Sequence, residues 1–111
     1  MTEVVPFLRV SDAEASADWY RRLGFDVEWR HRFEPGLPLF IAVRREGSRL
    51  FLSEHKGDAP PGSLVYLYVD DVDAIAGSLG KRAHDTPWGT RELELADPDG
   101  NRLRIGTRSE A

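Results

Sequence analysis

Phe7-Leu8-Arg9-Val10-Ser11-Asp12 and, past the middle of the chain, Tyr66-Leu67-Tyr68-Val69-Asp70-Asp71 are one phrase written twice, aromatic-Leu-x-Val-polar-Asp. A short apolar run that ends in such a polar pair reads as a strand entering a helix cap. In the first copy Ser11-Asp12-Ala13-Glu14 has the form of a capping box. Ala15, Trp19, Arg22 and Leu23 follow at helical spacing and Gly24 closes the segment, so a helix is predicted over about residues 12–23, with Trp19 in the core. The second copy predicts a helix starting at Asp70-Asp71, with Val72, Ile75, Ala76 and Leu79 as its apolar stripe and the same Leu-Gly exit at Leu79-Gly80.

Outward from these phrases, strand-like segments follow each helix. They lie at about residues 25–32, 39–44 and 49–53 after the first, and 91–96 and 103–107 after the second. The turn Asp97-Pro98-Asp99-Gly100 joins the last two, with Pro preset for a type I turn and Gly where φ must be positive. If it ends at Asn101, Leu95 faces Leu103, Leu93 faces Ile105 and Glu94 stands opposite Arg104. The Pro/Gly clusters at Pro35-Gly36-Leu37-Pro38 and Ala59-Pro60-Pro61-Gly62 read as connections inside a domain.

The bulk numbers narrow the function classes. A chain of 111 residues with 41% hydrophobic content supports one core and one domain. It contains no cysteine, which excludes disulfides, thiolate catalysis and iron–sulfur clusters. A formal net charge of −4 argues against nucleic-acid binding, and no apolar run approaches the roughly 20 residues of a membrane span. The N-terminal Met-Thr-Glu-Val-Val carries no basic region ahead of an apolar run, so a cytoplasmic protein is expected. His31, His55 and His84 share no metal-binding spacing and are expected at the surface.

The repeated strand–helix–strands unit, the Leu23-Gly24-Phe25 helix exit and Asp97-Pro98-Asp99-Gly100-Asn101 resemble the glyoxalase, bleomycin resistance protein and dioxygenase superfamily, also called vicinal oxygen chelate proteins. Pro87-Trp88-Gly89, Arg91-Glu92-Leu93 and Val4-Val5-Pro6 resemble bleomycin resistance proteins most. The resemblance implies an α+β fold in which two βαβββ modules, about residues 1–57 and 63–111, form curled mixed sheets around a cleft. The second module is shortened here, because few residues separate Leu79 from Pro87.

Metal-dependent members of that superfamily place one ligand on each of four strands, and the resemblance carries those positions onto Val5, Phe51, Leu64 and Arg104. Three apolar side chains and a permanent cation cannot ligate a divalent metal, so no metal and no cofactor are expected. Strand alternation brings Phe7, Tyr66 and Tyr68 to the face of Val5 and Leu64. Trp88, in its Pro-Trp-Gly turn, adds a flat surface, and Phe33 and Phe40 flank a loop over the cleft. By resemblance, Trp88 and Phe40 match residues that contact the planar part of the drug. The expected ligand contacts are therefore Trp88, Tyr66, Tyr68, Phe40, Phe33, Phe51 and Arg104. Trp29 is left without a place.

The expected function is metal-free sequestration of a bleomycin-like antibiotic or another flat aromatic small molecule. Arg9, Arg49, Arg102 and Arg104 near the cleft also admit an anionic or neutral ligand. The resemblance further implies a homodimer, with Pro6 suited to an arm or edge strand. Two other readings stay open: a metal-independent isomerase or lyase using Tyr66, Glu94 or Arg104, and an accessory module with a vestigial cleft.

Overall fold

The computed structural model describes residues 1–109. The first module runs β1 (Phe7–Arg9), α1 (Ala13–Arg21), β2 (Asp26–His31), β3 (Phe40–Arg45) and β4 (Ser48–Ser53). The second runs β5 (Leu64–Tyr68), α2 (Val72–Ser78), β6 (His84–Asp85), β7 (Thr90–Ala96) and β8 (Arg102–Arg108). Each builds a four-stranded mixed sheet, ordered β1-β4-β3-β2 and β5-β8-β7-β6, in which β1 with β4 and β5 with β8 are the parallel pairs. This is the α+β fold of two βαβββ modules that the resemblance implies. The shortening falls on β6, two residues long, and on α2, seven residues against nine in α1. The chain divides into two units, Met1–Ser63 with Asp97–Asn101, and Leu64–Ala96 with Arg102 onward.

In the first unit α1 differs from its predicted phase. Asp12, not Ser11, is the N-cap, and its carboxylate accepts from Ala15 N at 3.1 Å. Glu54 accepts from the next free donor, Ala13 N, at 2.8 Å, and from Leu39 N at 2.9 Å with its other oxygen. The buried stripe is Ala13, Ser16, Ala17 and Tyr20, while Ala15 is exposed and Trp19 only half-buried. Tyr20 takes the core place expected of Trp19, because its hydroxyl finds an internal acceptor: the Asp97 carboxylate at 2.9 Å. Leu8, Ile41, Val43, Leu50 and Leu52 complete this core from the sheet. The second helix keeps its predicted stripe, with Val72 and Ala76 buried against Leu93, Leu95, Leu103 and Ile105 of its own sheet.

The predicted hairpin register is the observed one. Leu95 pairs with Leu103, Leu93 with Ile105 and Glu94 with Arg104, and Gly100 takes φ +81°. The turn itself does more than reverse the chain. Asp97 Oδ1 accepts from the N–H groups of Asp99 and Asn101, both at 2.9 Å, and Oδ2 accepts from Tyr20 Oη at 2.9 Å and Asn101 Nδ2 at 3.0 Å. Asn101 also donates to Arg9 O at 2.9 Å and accepts from Ser63 N at 3.1 Å. Asp97 is 5% exposed and Asn101 wholly buried, so these bonds satisfy groups that water does not reach.

Candidate functional site

One face of the first sheet carries α1 and the core; the other carries rings. On β3, Ile41 and Val43 point into the core while Phe40 and Ala42 point away from it, and on β4 Leu50 and Leu52 alternate likewise with Phe51. Phe7 pairs directly with Phe51 across β1 and β4. Trp29 reaches the same face through a β-bulge: the register of β2 against β3 shifts between Val27 and Trp29, which leaves Glu28 as the extra residue and sets Trp29 opposite Ala42. The small Ala42, flanked by Trp29 and Phe51, leaves room for both rings.

The result is a four-ring cluster. Phe7 stacks on Phe40 with centroids 5.4 Å apart, Phe51 meets Phe7 and Phe40 edge-on at 5.1 and 5.0 Å, and Trp29 lies 5.2 and 5.4 Å from Phe40 and Phe51. These separations lie within the favourable range for aromatic pairs. Phe7 and Trp29 stay more than a third exposed. Beside them a pocket of about 320 Å³ is lined by Phe7, His31, Phe33, Phe40, His55 and Asp58. Phe33 is largely exposed and meets His31 edge-on at 4.5 Å. His31 and His84 are exposed as expected, whereas His55 is half-buried in this pocket.

The bulge residue has its own role. Arg44 and Arg49 stand opposite each other on β3 and β4, and Glu28 bridges them, accepting from Arg49 Nε at 2.6 Å and Arg44 Nη1 at 3.2 Å. Arg49 also donates to Glu3 at 2.6 Å. Hydrogen bonds from Arg49 hold the Glu28 carboxyl below its ordinary range.

The second sheet repeats the division with polar aromatics. Leu67, Leu93, Leu95, Leu103 and Ile105 face the core, and Tyr66, Tyr68, Glu92, Glu94 and Arg104 take the opposite face. Tyr66 and Tyr68 have centroids 4.7 Å apart, and the Arg108 guanidinium sits over the Tyr68 ring at 4.5 Å. Arg104 donates to Glu94 at 2.9 Å and Arg102 approaches the same carboxylate at 3.6 Å. The Arg104 hydrogen bond keeps Glu94 below its ordinary range.

Glu92 is the centre of this face. It is 4% exposed, and its Oε2 accepts from Tyr66 Oη at 2.8 Å, Thr90 Oγ1 at 2.8 Å and Trp88 Nε1 at 3.2 Å. Desolvation pushes its carboxyl up, but the hydrogen bonds from Tyr66, Thr90 and Trp88 outweigh it, and the group lies below its ordinary range. Tyr66 is pushed the other way, by desolvation and by its bond to Glu92. Gly106 makes the arrangement possible, since a Cβ there would lie 1.9 Å from Tyr66 Oη.

Of the residues singled out from sequence, Phe33, Phe40 and Phe51 thus gather on the first unit, and Tyr66, Tyr68, Trp88 and Arg104 on the second. Trp29 and Glu92 were the omissions. A bulge has no mark in the alternation of β2, and Glu92 reads locally as one more charge. The four positions that the resemblance assigns to metal ligands do not suit a metal: Val5 and Leu64 are aliphatic, Phe51 is locked among rings and Arg104 is ion-paired to Glu94. Among the described residues no group of three or more His, Asp or Glu is placed to hold an ion. No helix is long and apolar enough to cross a membrane.

Comparison with known proteins places the fold and the family. No curated protein matches the chain in sequence. Among solved structures, an antibiotic-binding protein, TnmS3, from Streptomyces sp. CB03234 is 29% identical, with 98% of each chain covered and a TM-score of 0.81. A glyoxalase/bleomycin resistance protein from the same organism is 32% identical over 95% of this chain and 97% of its own, with a TM-score of 0.71. A bleomycin-binding protein solved with bleomycin shares the fold at 23% identity, covering 98% and 100% of the two chains with a TM-score of 0.74. All of residues 1–111 match the family described as glyoxalase superfamily protein, and the chain belongs to that superfamily.

Proposed function

We propose that this protein binds a bleomycin-like antibiotic or another flat aromatic small molecule and withholds it from its target without altering it. The observation that carries the reading is the replacement of metal donors by rings: at and around the ligand positions of metal-dependent relatives stand Phe51 with Phe7, Phe40 and Trp29, and Tyr66 with Tyr68 and Trp88. Open aromatic surface with few polar anchors suits recognition of a planar ligand, and each stacked pair adds about 0.5–1.5 kcal/mol beyond burial. The 29% identical TnmS3, an antibiotic-binding protein, supports the same direction. The contact residues in this reading are Trp88, Tyr66, Tyr68, Phe40, Phe33, Phe51 and Arg104. The two modules act as one domain in a cytoplasmic homodimer that has no nucleic-acid partner.

An isomerase or lyase reading is weaker on chemical grounds. Glu94 is held ionised by Arg104 and is a poor general acid, and the Tyr66 hydroxyl already donates to Glu92. The test is a titration with bleomycin, with and without copper, followed by tryptophan fluorescence and thermal unfolding. Binding quenches emission and raises Tm, because a ligand of the native state must stabilise it. Unchanged emission and Tm at saturating drug overturn the bleomycin assignment. Light scattering on a size-exclusion column tests the dimer, and a monomer at micromolar concentration overturns it.

A further inference from the structure

Four arginines of the second unit are engaged: Arg104 and Arg102 with Glu94, Arg91 with Asp73 and Asp85, and Arg108 over the Tyr68 ring. Glu92 has no ion-pair partner among the described residues, and its three donors are neutral and all bind Oε2. Oε1 accepts no hydrogen bond from the described residues. Ser16 Oγ is the single fully buried side-chain polar atom without a partner among them, so Oε1, in a side chain 96% enclosed, keeps a narrow access to the surface.

A carboxylate is an acceptor only, with about four lone-pair sites over its two oxygens. With Oε2 filled by neutral donors, and Arg104 acting on Glu92 only through space while ion-paired to Glu94, the accessible Oε1 is the open acceptor of the group, and a carboxylate oxygen is best satisfied by a donor that carries positive charge. Trp88, 67% exposed, is the most exposed aromatic residue beside it, and Trp88 and Tyr66 both donate to its Oε2.

We propose that Glu92 Oε1 is the polar anchor of the ligand site, accepting a hydrogen bond from an N–H of a cationic, flat nitrogen heteroaromatic whose rings lie against Trp88 and Tyr66. This rests on the flat-ligand reading above and adds the class of ligand: a protonated aromatic donor, in preference to a neutral or anionic ring system. Oε2 then serves as the fixed side of the carboxylate, and Tyr66, Thr90 and Trp88 position the free oxygen.

Three ring-matched probes separate the possibilities: 9-aminoacridine, a cation with N–H donors at neutral pH; acridine, neutral and without N–H; and acridine-9-carboxylate, an anion. By calorimetric titration the unmodified protein binds 9-aminoacridine about tenfold or more tighter than acridine, as a charge-assisted hydrogen bond requires, and the carboxylate weakest. Glu92→Gln keeps an oxygen for the three protein donors but turns an N–H₂ outward and removes the charge. It binds 9-aminoacridine and acridine within about twofold of each other. If all three probes bind the unmodified protein equally, or Glu92→Gln preserves the ranking, the anchor assignment is wrong while the flat-ligand reading stands. If none binds, that reading fails and takes the anchor with it. Should the variant fail to fold, the ranking in the unmodified protein alone decides.

Discussion

Asp97 and Glu92 are both carboxylates at least nine-tenths enclosed, at 5% and 4% exposure, yet they are built for opposite ends. Asp97 uses both oxygens, two donors each, all from its own unit, and closes a loop around Tyr20 and Asn101. Glu92 crowds three donors onto one oxygen and leaves the other free. A saturated buried carboxylate holds a structure together. A half-saturated one, bordered by exposed rings, is equipped to receive something.

That contrast predicts unequal responses to substitution. Asp97→Ala strips acceptors from two buried side-chain donors and two turn amides, and is expected to destabilise by about 3–5 kcal/mol in urea unfolding. A loss below about 1 kcal/mol would break the comparison from the Asp97 side. Gly106→Ala comes next: its Cβ cannot coexist with Tyr66 Oη where it stands, and overpacking of this kind costs about 1–3 kcal/mol. Since Tyr66 is 36% exposed, it can swing outward, releasing Glu92, and its hydroxyl should then titrate closer to its ordinary value of 10.0 by ultraviolet absorbance. An unchanged titration would show that the Tyr66–Glu92 bond survives. Glu92→Gln retains an acceptor for all three donors and should lower stability by only about 1 kcal/mol, while altering ligand preference.

The smallest effects are in the pH dependence. Glu92 lies below its ordinary 4.5 in the folded protein, so its stabilising contribution is present above 4.5 and is lost as pH falls through the folded value. Tyr20 is shifted the other way, pushed far up by desolvation and then by the charge of Asp97. Its contribution is present below 10.0 and is lost as pH rises beyond that. Tyr20→Phe should therefore flatten the alkaline limb of a stability profile and Glu92→Gln the acid limb. A limb that keeps its slope in its variant assigns that slope to other groups.

The amino-acid order is legible where information is local or periodic. The doubled phrase at Phe7 and Tyr66, the Asp97–Gly100 turn and the pairing of Glu94 with Arg104 each depend on neighbours in sequence or on the two-residue period of a strand, and each is where it was expected. The phase of α1 is not legible in this way: spacing from Leu23 favours Trp19, while the choice between Trp19 and Tyr20 depends on where a hydroxyl finds its acceptor. That acceptor is 77 residues away. Arg102 and Arg104 are engaged by Glu94, as the hairpin register allows, whereas the pairing of Arg49 with Glu28 and Glu3 depends on the β2 bulge and is not readable from charge counting.

What the sequence by itself determined is the repeated α+β fold and which residue types stand at Val5, Phe51, Leu64 and Arg104, because residue identity alone decides whether a side chain can donate a lone pair. What only the tertiary structure decided is the surface built in their stead. A bulge at Glu28 turned Trp29 onto the ring face, Ala42 made room for it, and Gly106 let Tyr66 lie over the strand to reach Glu92. These depend on close approach between strands, where one missing Cβ or one extra residue changes which groups meet.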